Sequence, residues 1–292
     1  MDIQQKNFYV MSLMSRFLNE APTCIDASVV NELASACGIP IDEAYTYLLA
    51  IYCGVDLEGD GRDIFEEYFR KMIREMEPDE FLSNLYYKNI SFPNVSSASI
   101  ELCQSQFKAF EAFVFDDICI QTDGRIIPQI GFFSEEISYP AIMENGRIWM
   151  TVTPMEINTI RPAVERAHGK VLAYGLGLGY FAYMAAAKDD VDSVTVIELN
   201  KDIIELFVTH ILPQFGDAAK KITIVNADAF DYAEKEMGEG RFDFVFTDLW
   251  HDVSDGEEMY YRMKAYESLS PHSEFMYWIE KSILGHISLL SE

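Results

Sequence analysis

From Lys170 onward, short apolar runs alternate with helical patterns, and this alternation constrains the fold more than any other feature of the chain. Strands that alternate with helices in this way form a parallel sheet built from βαβ units. The pattern predicts strands over residues 171–174, 193–197, 222–225, 242–246 and 275–279. It predicts helices over residues 180–188, 201–215, 229–237 and 257–269. The predicted fold class is α/β, with a doubly wound parallel sheet.

Residues 1–152 have a different pattern. Helical periods that end at Gly or Pro predict helices over residues 26–36, 41–53 and 64–76. Strand-like runs follow at 113–115, 118–120, 126–127 and 148–150, with Asp123-Gly124 and Asn145-Gly146 as hairpin turns. A capping box, Thr153 to Glu156, then starts a helix that runs to about residue 167. The predicted domains are 1–152, a helical region with a small antiparallel β region, and 153–292, the domain with the parallel sheet.

The composition excludes several classes of protein. The 48 acidic and 22 basic residues give a formal charge of -26, which repels phosphate backbones and argues against nucleic acid as a partner. This charge can favour a cationic substrate, although a soluble acidic surface explains it equally well. The five cysteines form no CxxC pair, so reduced thiols are expected rather than disulfides or a zinc site. With no signal-peptide pattern and no membrane-length apolar run, a cytoplasmic protein without membrane contact is expected.

Gly175, Gly177 and Gly179 follow the first strand of the predicted sheet and open a helix. Residues without Cβ allow a sharp turn and a close approach of ligand to backbone. The dinucleotide pattern GxGxxG would need glycine at position 180, which is Tyr180, so the spacing is GxGxG. By itself this pattern also fits a structural glycine turn.

Acidic residues end the next three strands of the predicted sheet. Glu198 lies where a carboxylate can accept both ribose hydroxyls of a nucleoside, although a solvated loop acid would look the same. Asp228, followed by Ala229, can accept from an adenine amino group or can cap the next helix. Asp248 begins the segment Asp-Leu-Trp-His-Asp, in which Trp250 can flank a substrate and His251 can act as a base or lie on the surface without a role.

Residues 170–280 resemble a class I S-adenosylmethionine (SAM)-dependent methyltransferase domain, of the spermidine-synthase-like branch. The glycine loop, Glu198 in Val-Ile-Glu-Leu-Asn, Asp228 in Ala-Asp-Ala and Asp248 after Phe-Asp-Phe-Val-Phe carry the resemblance. It implies a Rossmann-like sheet of the methyltransferase type and SAM as cofactor. It also implies that the glycine loop lines the methionine end, Glu198 the ribose and Asp228 with Ala229 the adenine. Asp248 would orient the acceptor or the SAM amino group.

The chain departs from this branch in the glycine loop, after the fourth strand and after the fifth. Leu178 replaces an acid that aminopropyltransferases carry, and Asp248 to Asp252 replaces Asp-Ser-Ser-Asp-Pro. Residues 281–290 look helical, so the usual final β-hairpin is expected to be missing. The resemblance therefore implies a methyltransferase with Asp248 and His251 as candidate catalytic residues and an unidentified small-molecule substrate. The alternatives are an aminopropyltransferase and a SAM-binding protein without turnover.

Two further expectations concern other parts of the chain. The fifth strand is apolar on both faces, so its free edge is expected to be covered by residues 281–290 or by a second protomer in a homodimer. Residues 56–67 match the spacing of an EF-hand calcium loop, but Asp63 stands where an apolar residue is usual. An acidic helix–helix connection is the preferred interpretation of that segment, and no metal site is predicted.

Overall fold

The computed structural model describes residues 1–59, 61–238 and 240–290. Its α-helices are α1 (Ile3–Glu20), α2 (Ala27–Cys37), α3 (Ile41–Tyr52), α4 (Arg62–Ile64), α5 (Arg70–Met72), α6 (Pro78–Leu82), α7 (Leu85–Asn89), α8 (Pro154–Arg166), α9 (Tyr180–Ala186), α10 (Lys201–Leu206), α11 (Ala229–Glu236), α12 (Val253–Ala265) and α13 (Glu280–Leu290). π-helical turns at Phe65–Phe69 and Phe207–Ile211 and 3-10 segments at Leu212–Lys221 and Tyr266–Leu269 continue some of them. No helix in the described ranges is both long and apolar enough to span a bilayer.

The strands belong to four sheets, three of them small. In chain order they are β1 (Ile73–Glu75), β2 (Val95–Ser97), β3 (Ile100–Phe107), β4 (Phe113–Val114), β5 (Cys119–Ile120), β6 (Ile126–Ile127), β7 (Ile130–Phe132), β8 (Ile137–Glu144), β9 (Arg147–Thr151), β10 (Gly169–Tyr174), β11 (Val191–Glu198), β12 (Ile222–Asn226), β13 (Phe244–Thr247) and β14 (Glu274–Tyr277). The sheet orders are β1-β7-β4, β5-β6, β2-β3-β8-β9 and β12-β11-β10-β13-β14.

The chain divides into two compact units, and neither is one continuous stretch of sequence. The helical unit contains Met1–Phe81, Gln106–Ser138 and the described residues from Gly285. The sheet unit contains Leu82–Ser105 and Tyr139–Leu284. This division differs from the single boundary expected at residue 152, because residues 82–105 and 139–152 pack with the parallel sheet.

The helical unit has an aromatic core around Tyr45, which stacks on Phe132 with ring centroids 4.0 Å apart. Buried Asn7 of α1 connects the π-helical turn at Phe65–Phe69 with strand β6. Its side-chain oxygen accepts from the Tyr68 hydroxyl and the Ile126 amide. The predicted helices at 26–36 and 41–53 are confirmed within a residue or two. The prediction of a helix to residue 76 is wrong beyond Met72, because residues 73–75 pair with β7 as strand β1.

The five parallel strands expected after Lys170 are confirmed, and they give a mixed α/β fold with a parallel sheet. β10 lies at the centre, between β11 and β13, with Tyr174 paired to both Ile197 and Thr247. The apolar character of these strands explains their position, since β10 and β13 each bury four consecutive residues. The carboxyl ends of all five strands meet at one edge of the sheet. A doubly wound arrangement, with helices on both faces of this sheet, stays a prediction.

Residues 82–89 hold the start of α9 through side-chain hydrogen bonds. The Tyr86 hydroxyl donates to the Leu178 carbonyl, and Asn84 Nδ2 donates to the Tyr180 hydroxyl at 3.0 Å. Tyr86 is fully buried, and burial raises the pKa of its hydroxyl well above the ordinary value, so it remains a donor. The glycine loop is therefore fixed by a segment that lies far upstream in sequence.

The antiparallel pair β8–β9 forms the expected hairpin at Asn145-Gly146. Asn145 and Gly146 both have positive φ, of 51° and 77°, as a two-residue turn with the twist of the strands requires. The second expected hairpin is also confirmed, since β5 pairs with β6 around Asp123-Gly124.

β14 is the last strand of the parallel sheet, and no strand of the described ranges pairs with its outer edge. The final helix begins three residues after it. The Glu280 carboxylate of that helix accepts from the Tyr260 hydroxyl at 2.6 Å, and Ile283 is fully buried, so its first turn packs on α12. Coverage of the strand edge by the tail or by a second protomer stays a prediction.

Candidate functional site

A cavity of about 490 Å³ opens at the carboxyl ends of the parallel strands, and we call it the strand-end cavity. Such a position is the usual ligand site of open parallel sheets. The cavity is lined by six of the predicted cofactor residues, namely Gly175, Gly177, Glu198, Asp228, Ala229 and Asp248. The structure also places Trp250 and His251 in its wall. Residues that are far apart in sequence are thus brought to one place by the strand order.

The three glycines of the loop have different structural roles. All have positive φ, but an added Cβ at Gly175 would lie 2.0 Å from the Asp248 backbone oxygen. At Gly179 an added Cβ would lie 2.3 Å from the Phe207 ring, and Gly179 does not line the cavity, although the sequence suggested cofactor binding for it. At Gly177 an added Cβ would meet only Met150 Sδ, at an ordinary contact distance of 3.7 Å. Gly177 is therefore the position at which a ligand can approach the backbone.

Glu198 is buried at the end of β11, where its carboxylate is held by two backbone amides. Leu176 N–H of the glycine loop donates to one oxygen at 3.2 Å, and Asn200 N–H donates to the other at 2.7 Å. Burial raises the pKa of this carboxyl, and the two amide hydrogen bonds oppose the rise. Each oxygen accepts one of these bonds and keeps a second lone pair, so the carboxylate is fixed in place and still able to accept from a ligand.

Asp228 lies at the end of β12 and caps α11. Its Oδ1 accepts from the amides of Phe230 and Asp231, at 2.9 and 3.0 Å. The capping interpretation is therefore confirmed for Oδ1. The Asp228 side chain is exposed in the cavity wall, so Oδ2 is left to accept from a ligand. Both interpretations of Asp228 are compatible, because the cap leaves one acceptor atom for a ligand.

Asp248 follows β13 and is the most perturbed acid of the cavity. Burial, with the nearby Glu156 charge as a second cause, raises the pKa of Asp248 to about 7. Glu156 belongs to the confirmed capping box of α8, where its oxygens accept from Thr151 Oγ1 at 2.9 Å and Thr153 N–H at 2.8 Å. Asp248 has no such hydrogen bonds to its carboxylate in the described part of the chain. It is therefore the acid of this cavity best suited to take up a proton near neutral pH.

The raised pKa of Asp248 predicts an unusual dependence of stability on pH. The folded state binds the Asp248 proton more tightly than the unfolded state. The free energy of unfolding therefore falls as pH rises from about 4 to about 7. Asp248→Asn should therefore raise the free energy of unfolding by on the order of 2 kcal/mol at pH 8 and change it little at pH 4. Urea unfolding at both pH values measures this difference.

Asp252 provides the matched control, because its pKa is shifted in the opposite direction. Hydrogen bonds from the Ser254 hydroxyl and amide hold the pKa of Asp252 below its usual value. Its contribution to stability is present above the unfolded pKa and is lost as pH falls. Asp252→Asn should thus lose stability mainly at pH 8. A loss of stability at pH 8 for Asp248→Asn as well would contradict the assignment for Asp248.

Several wall residues were not predicted from the sequence as site residues, among them Trp149, Glu156 and Trp278. The ring of Trp149 stacks on that of His251, with centroids 5.4 Å apart and planes 8° apart. Trp278 donates from Nε1 to Thr159 Oγ1 at 2.9 Å. Ile148-Trp149-Met150 was interpreted only as a strand. The available signal was Trp149 itself, an indole on a strand that has several exposed residues.

The cavity wall is strongly acidic. The described residues that line it include six carboxyl side chains and no Lys or Arg, the acids being Glu144, Glu156, Glu198, Asp228, Asp248 and Asp255. Asp255 is engaged by the backbone, since its Oδ1 accepts from the amides of His251 and Asp252. Such a wall favours ligands with positive charge over anions.

The possible calcium loop is only partly described. Asp56 Oδ1 accepts from the amides of Glu58 and Gly59, both at 3.1 Å, as in an ordinary acidic turn. Asp60 lies outside the described residues. Within the described ranges, no group of three or more His, Cys, Asp or Glu side chains is arranged to hold a metal ion.

No family model and no curated protein matches the chain. Among solved structures it is similar to spermidine synthase from Thermotoga maritima, with 18% identity, a TM-score of 0.35 and coverage of 53% of this chain and 60% of that one. It is similar to precorrin 8W decarboxylase from Methanobacterium thermoautotrophicum, with 18% identity, a TM-score of 0.32 and coverage of 45% and 67%. It is also similar to the methyltransferase domain of bacterial CtHen1-C, with 14% identity, a TM-score of 0.30 and coverage of 40% and 60%. These likenesses are partial.

Proposed function

We propose that the chain is a SAM-dependent methyltransferase that acts on a small molecule in the strand-end cavity. The observation that carries the proposal is the Glu198 carboxylate, which accepts from the Leu176 amide of the glycine loop and lines the same cavity as Gly177. An acid at the end of the second strand of a Rossmann-like sheet, next to a glycine turn, suits the ribose of a nucleoside.

The residues present fit the other parts of SAM. The free oxygen of Asp228 can accept from the adenine amino group, and Ala229 is buried beside it with little bulk. Gly177 of the glycine loop lines the cavity and suits the methionine end, and the acidic wall suits both an α-amino group and a sulfonium. SAM, when bound, supplies a methyl group that its sulfonium already activates.

The chain's own residues then have to position the acceptor and manage its proton. Asp248 can take a proton from the acceptor, since its pKa lies near 7 and its carboxylate has no competing hydrogen bonds in the described part of the chain. Met150 of β9 lies beside Gly177 in the cavity wall, and its side chain can exclude water there. Positioning of this kind supplies much of the acceleration when the group to be transferred is already activated.

Aminopropyl transfer is the second candidate, and the six carboxyl groups of the wall favour it. Against it stands Leu178, which is 3% exposed and takes the position of an acid in the glycine loop of aminopropyltransferases. The Leu178 side chain has no charge and no hydrogen-bond acceptor with which to bind an amine. Methyl transfer is therefore the better supported reaction.

The choice of ligand tests the proposal. S-adenosylhomocysteine should raise the Tm of the chain more than NAD or decarboxylated SAM does, because a ligand stabilises the state to which it binds. Thermal unfolding at equal ligand concentrations measures the three shifts. A larger shift with decarboxylated SAM would favour aminopropyl transfer, and a shift with NAD alone would contradict the proposal.

A further inference from the structure

The chain has three tryptophans, Trp149, Trp250 and Trp278, and all of them line the strand-end cavity. They lie on one side of the central strand β10. Trp250 follows β13 and Trp278 follows β14, while Trp149 stacks on His251 in the segment after β13. Glu198 and Asp228 end β11 and β12, on the other side of β10. The cavity therefore has a nucleoside half and an aromatic half, and we call the latter the tryptophan subsite.

Each indole is held by a different contact. Trp149 stacks on His251, and Trp278 is hydrogen-bonded to Thr159 of α8. Trp250 packs against the backbone of α12, where an added Cβ at Gly256 would lie 3.0 Å from its Cγ. Three indoles held separately form a rigid wall, and indoles are the side chains with the most favourable faces for cations.

Two carboxylates of the tryptophan subsite are already hydrogen-bonded. Glu156 is engaged by Thr151 and Thr153, and Asp255 by two backbone amides. Glu144 lies opposite Arg147 beside the turn of the β8–β9 hairpin, where facing residues of opposite charge attract each other. Asp248 lies two residues before Trp250 and has no hydrogen-bond partner for its carboxylate among the described residues. A carboxylate in the same cavity wall as three indoles suits an ammonium group.

The rest of the subsite wall is apolar. Ile148 and Met150 of β9, Ile160 of α8 and Met259 of α12 contribute side chains to the cavity. A linear diamine or polyamine would place its second charge against this apolar surface, at a cost in desolvation. An amine with an aromatic or compact apolar body would instead bury that body there.

We propose that the tryptophan subsite binds a primary or secondary amine attached to an aromatic or apolar body, with the ammonium group at Asp248. The inference rests on the proposed function only in naming this amine as the methyl acceptor. The binding itself follows from the three indoles, the Asp248 carboxylate and the apolar wall.

Intrinsic tryptophan fluorescence of the full chain tests this inference, because every indole of the chain lines the cavity. S-adenosylhomocysteine is titrated first, and the probes 2-phenylethylamine, 2-phenylethanol and putrescine are then titrated with and without it. We expect 2-phenylethylamine to bind at least about tenfold more tightly than either of the other two probes. Equal affinity for 2-phenylethanol would overturn the role of the charge, and equal affinity for putrescine would overturn the role of the apolar body.

The two proposals fail in different ways in this experiment. No response to S-adenosylhomocysteine, with a preserved preference for 2-phenylethylamine, contradicts the proposed function and leaves the amine subsite standing. A response to S-adenosylhomocysteine without any preference among the probes contradicts the subsite alone.

Gly256→Ala tests the position of the subsite without changing any indole or acid. The added Cβ would lie 3.0 Å from Trp250 Cγ, so the indole has to shift by a few tenths of an ångström. Affinity for 2-phenylethylamine should therefore fall about fivefold, while affinity for S-adenosylhomocysteine stays within about twofold. Gly238→Ala is the matched control, since no atom lies within 4 Å of the added Cβ there. Unchanged amine affinity in Gly256→Ala, with circular dichroism showing a folded chain, would overturn the assignment of the subsite.

Discussion

Gly175→Ala is expected to destabilise the chain by on the order of 3 kcal/mol or more, because two independent penalties act at one position. The φ of Gly175 is +98°, a conformation that residues with a side chain rarely adopt, and the added Cβ would lie 2.0 Å from the Asp248 backbone oxygen. That oxygen belongs to the backbone just after a central strand, so it cannot move away without breaking the pairing of β10 with β13. Urea unfolding of the purified variant measures the loss.

Gly240→Ala separates the two penalties. Gly240 also has a positive φ, of 71°, but no atom lies within 4 Å of its added Cβ. This control should lose only about 1 to 2 kcal/mol, from the backbone conformation alone. If both variants lost the same amount, the close approach of the glycine loop to the end of β13 would not contribute to stability.

Glu198→Ala is expected to weaken binding of S-adenosylhomocysteine by about 1.5 to 3 kcal/mol, the range for loss of hydrogen bonds to a charged group. The variant should also leave the Leu176 amide without its side-chain acceptor, so a smaller loss of stability should accompany the loss of affinity. Isothermal calorimetry measures the affinity, and thermal unfolding without ligand measures the stability.

Asp192→Ala is the matched control for Glu198. Asp192 lies on the same strand, β11, and carries the same charge, but its side chain is exposed and does not line the cavity. Its removal changes the net charge equally and should leave affinity unchanged. Equal loss of affinity in both variants would mean that general charge, rather than a contact from Glu198, governs binding.

The parallel sheet could be predicted from the sequence because its determinants are local. Each strand is a short apolar run between helical periods, and all five expected strands are present with shifts of at most two residues at their ends. The acids at the strand ends were also predictable, because parallel strands bring their carboxyl ends to one edge whatever their order. Glu198, Asp228 and Asp248 all line the cavity for this reason.

The contributions of distant segments could not be predicted in the same way. Tyr86 lies far upstream in sequence of the Leu178 carbonyl to which it donates, and no periodicity in either segment indicates that contact. The same holds for Trp149, whose hairpin pairs locally but lines a cavity made by later strands. Strand β1 was missed because residues 73–75 continue a helical pattern and become extended only through pairing with β7. Such tertiary contacts override local propensity.

The interleaved division of the chain has a consequence for its synthesis on the ribosome. Leu82–Ser105 is made early but packs with Tyr139–Leu284, and Gln106–Ser138 between them belongs to the other unit. The sheet unit therefore cannot complete its packing until residues up to Leu284 have emerged, so neither unit gains the early protection that a contiguous domain provides during translation. Nascent chains that stop before β13 and β14 should expose the apolar faces of β10 and β11 and depend on chaperones.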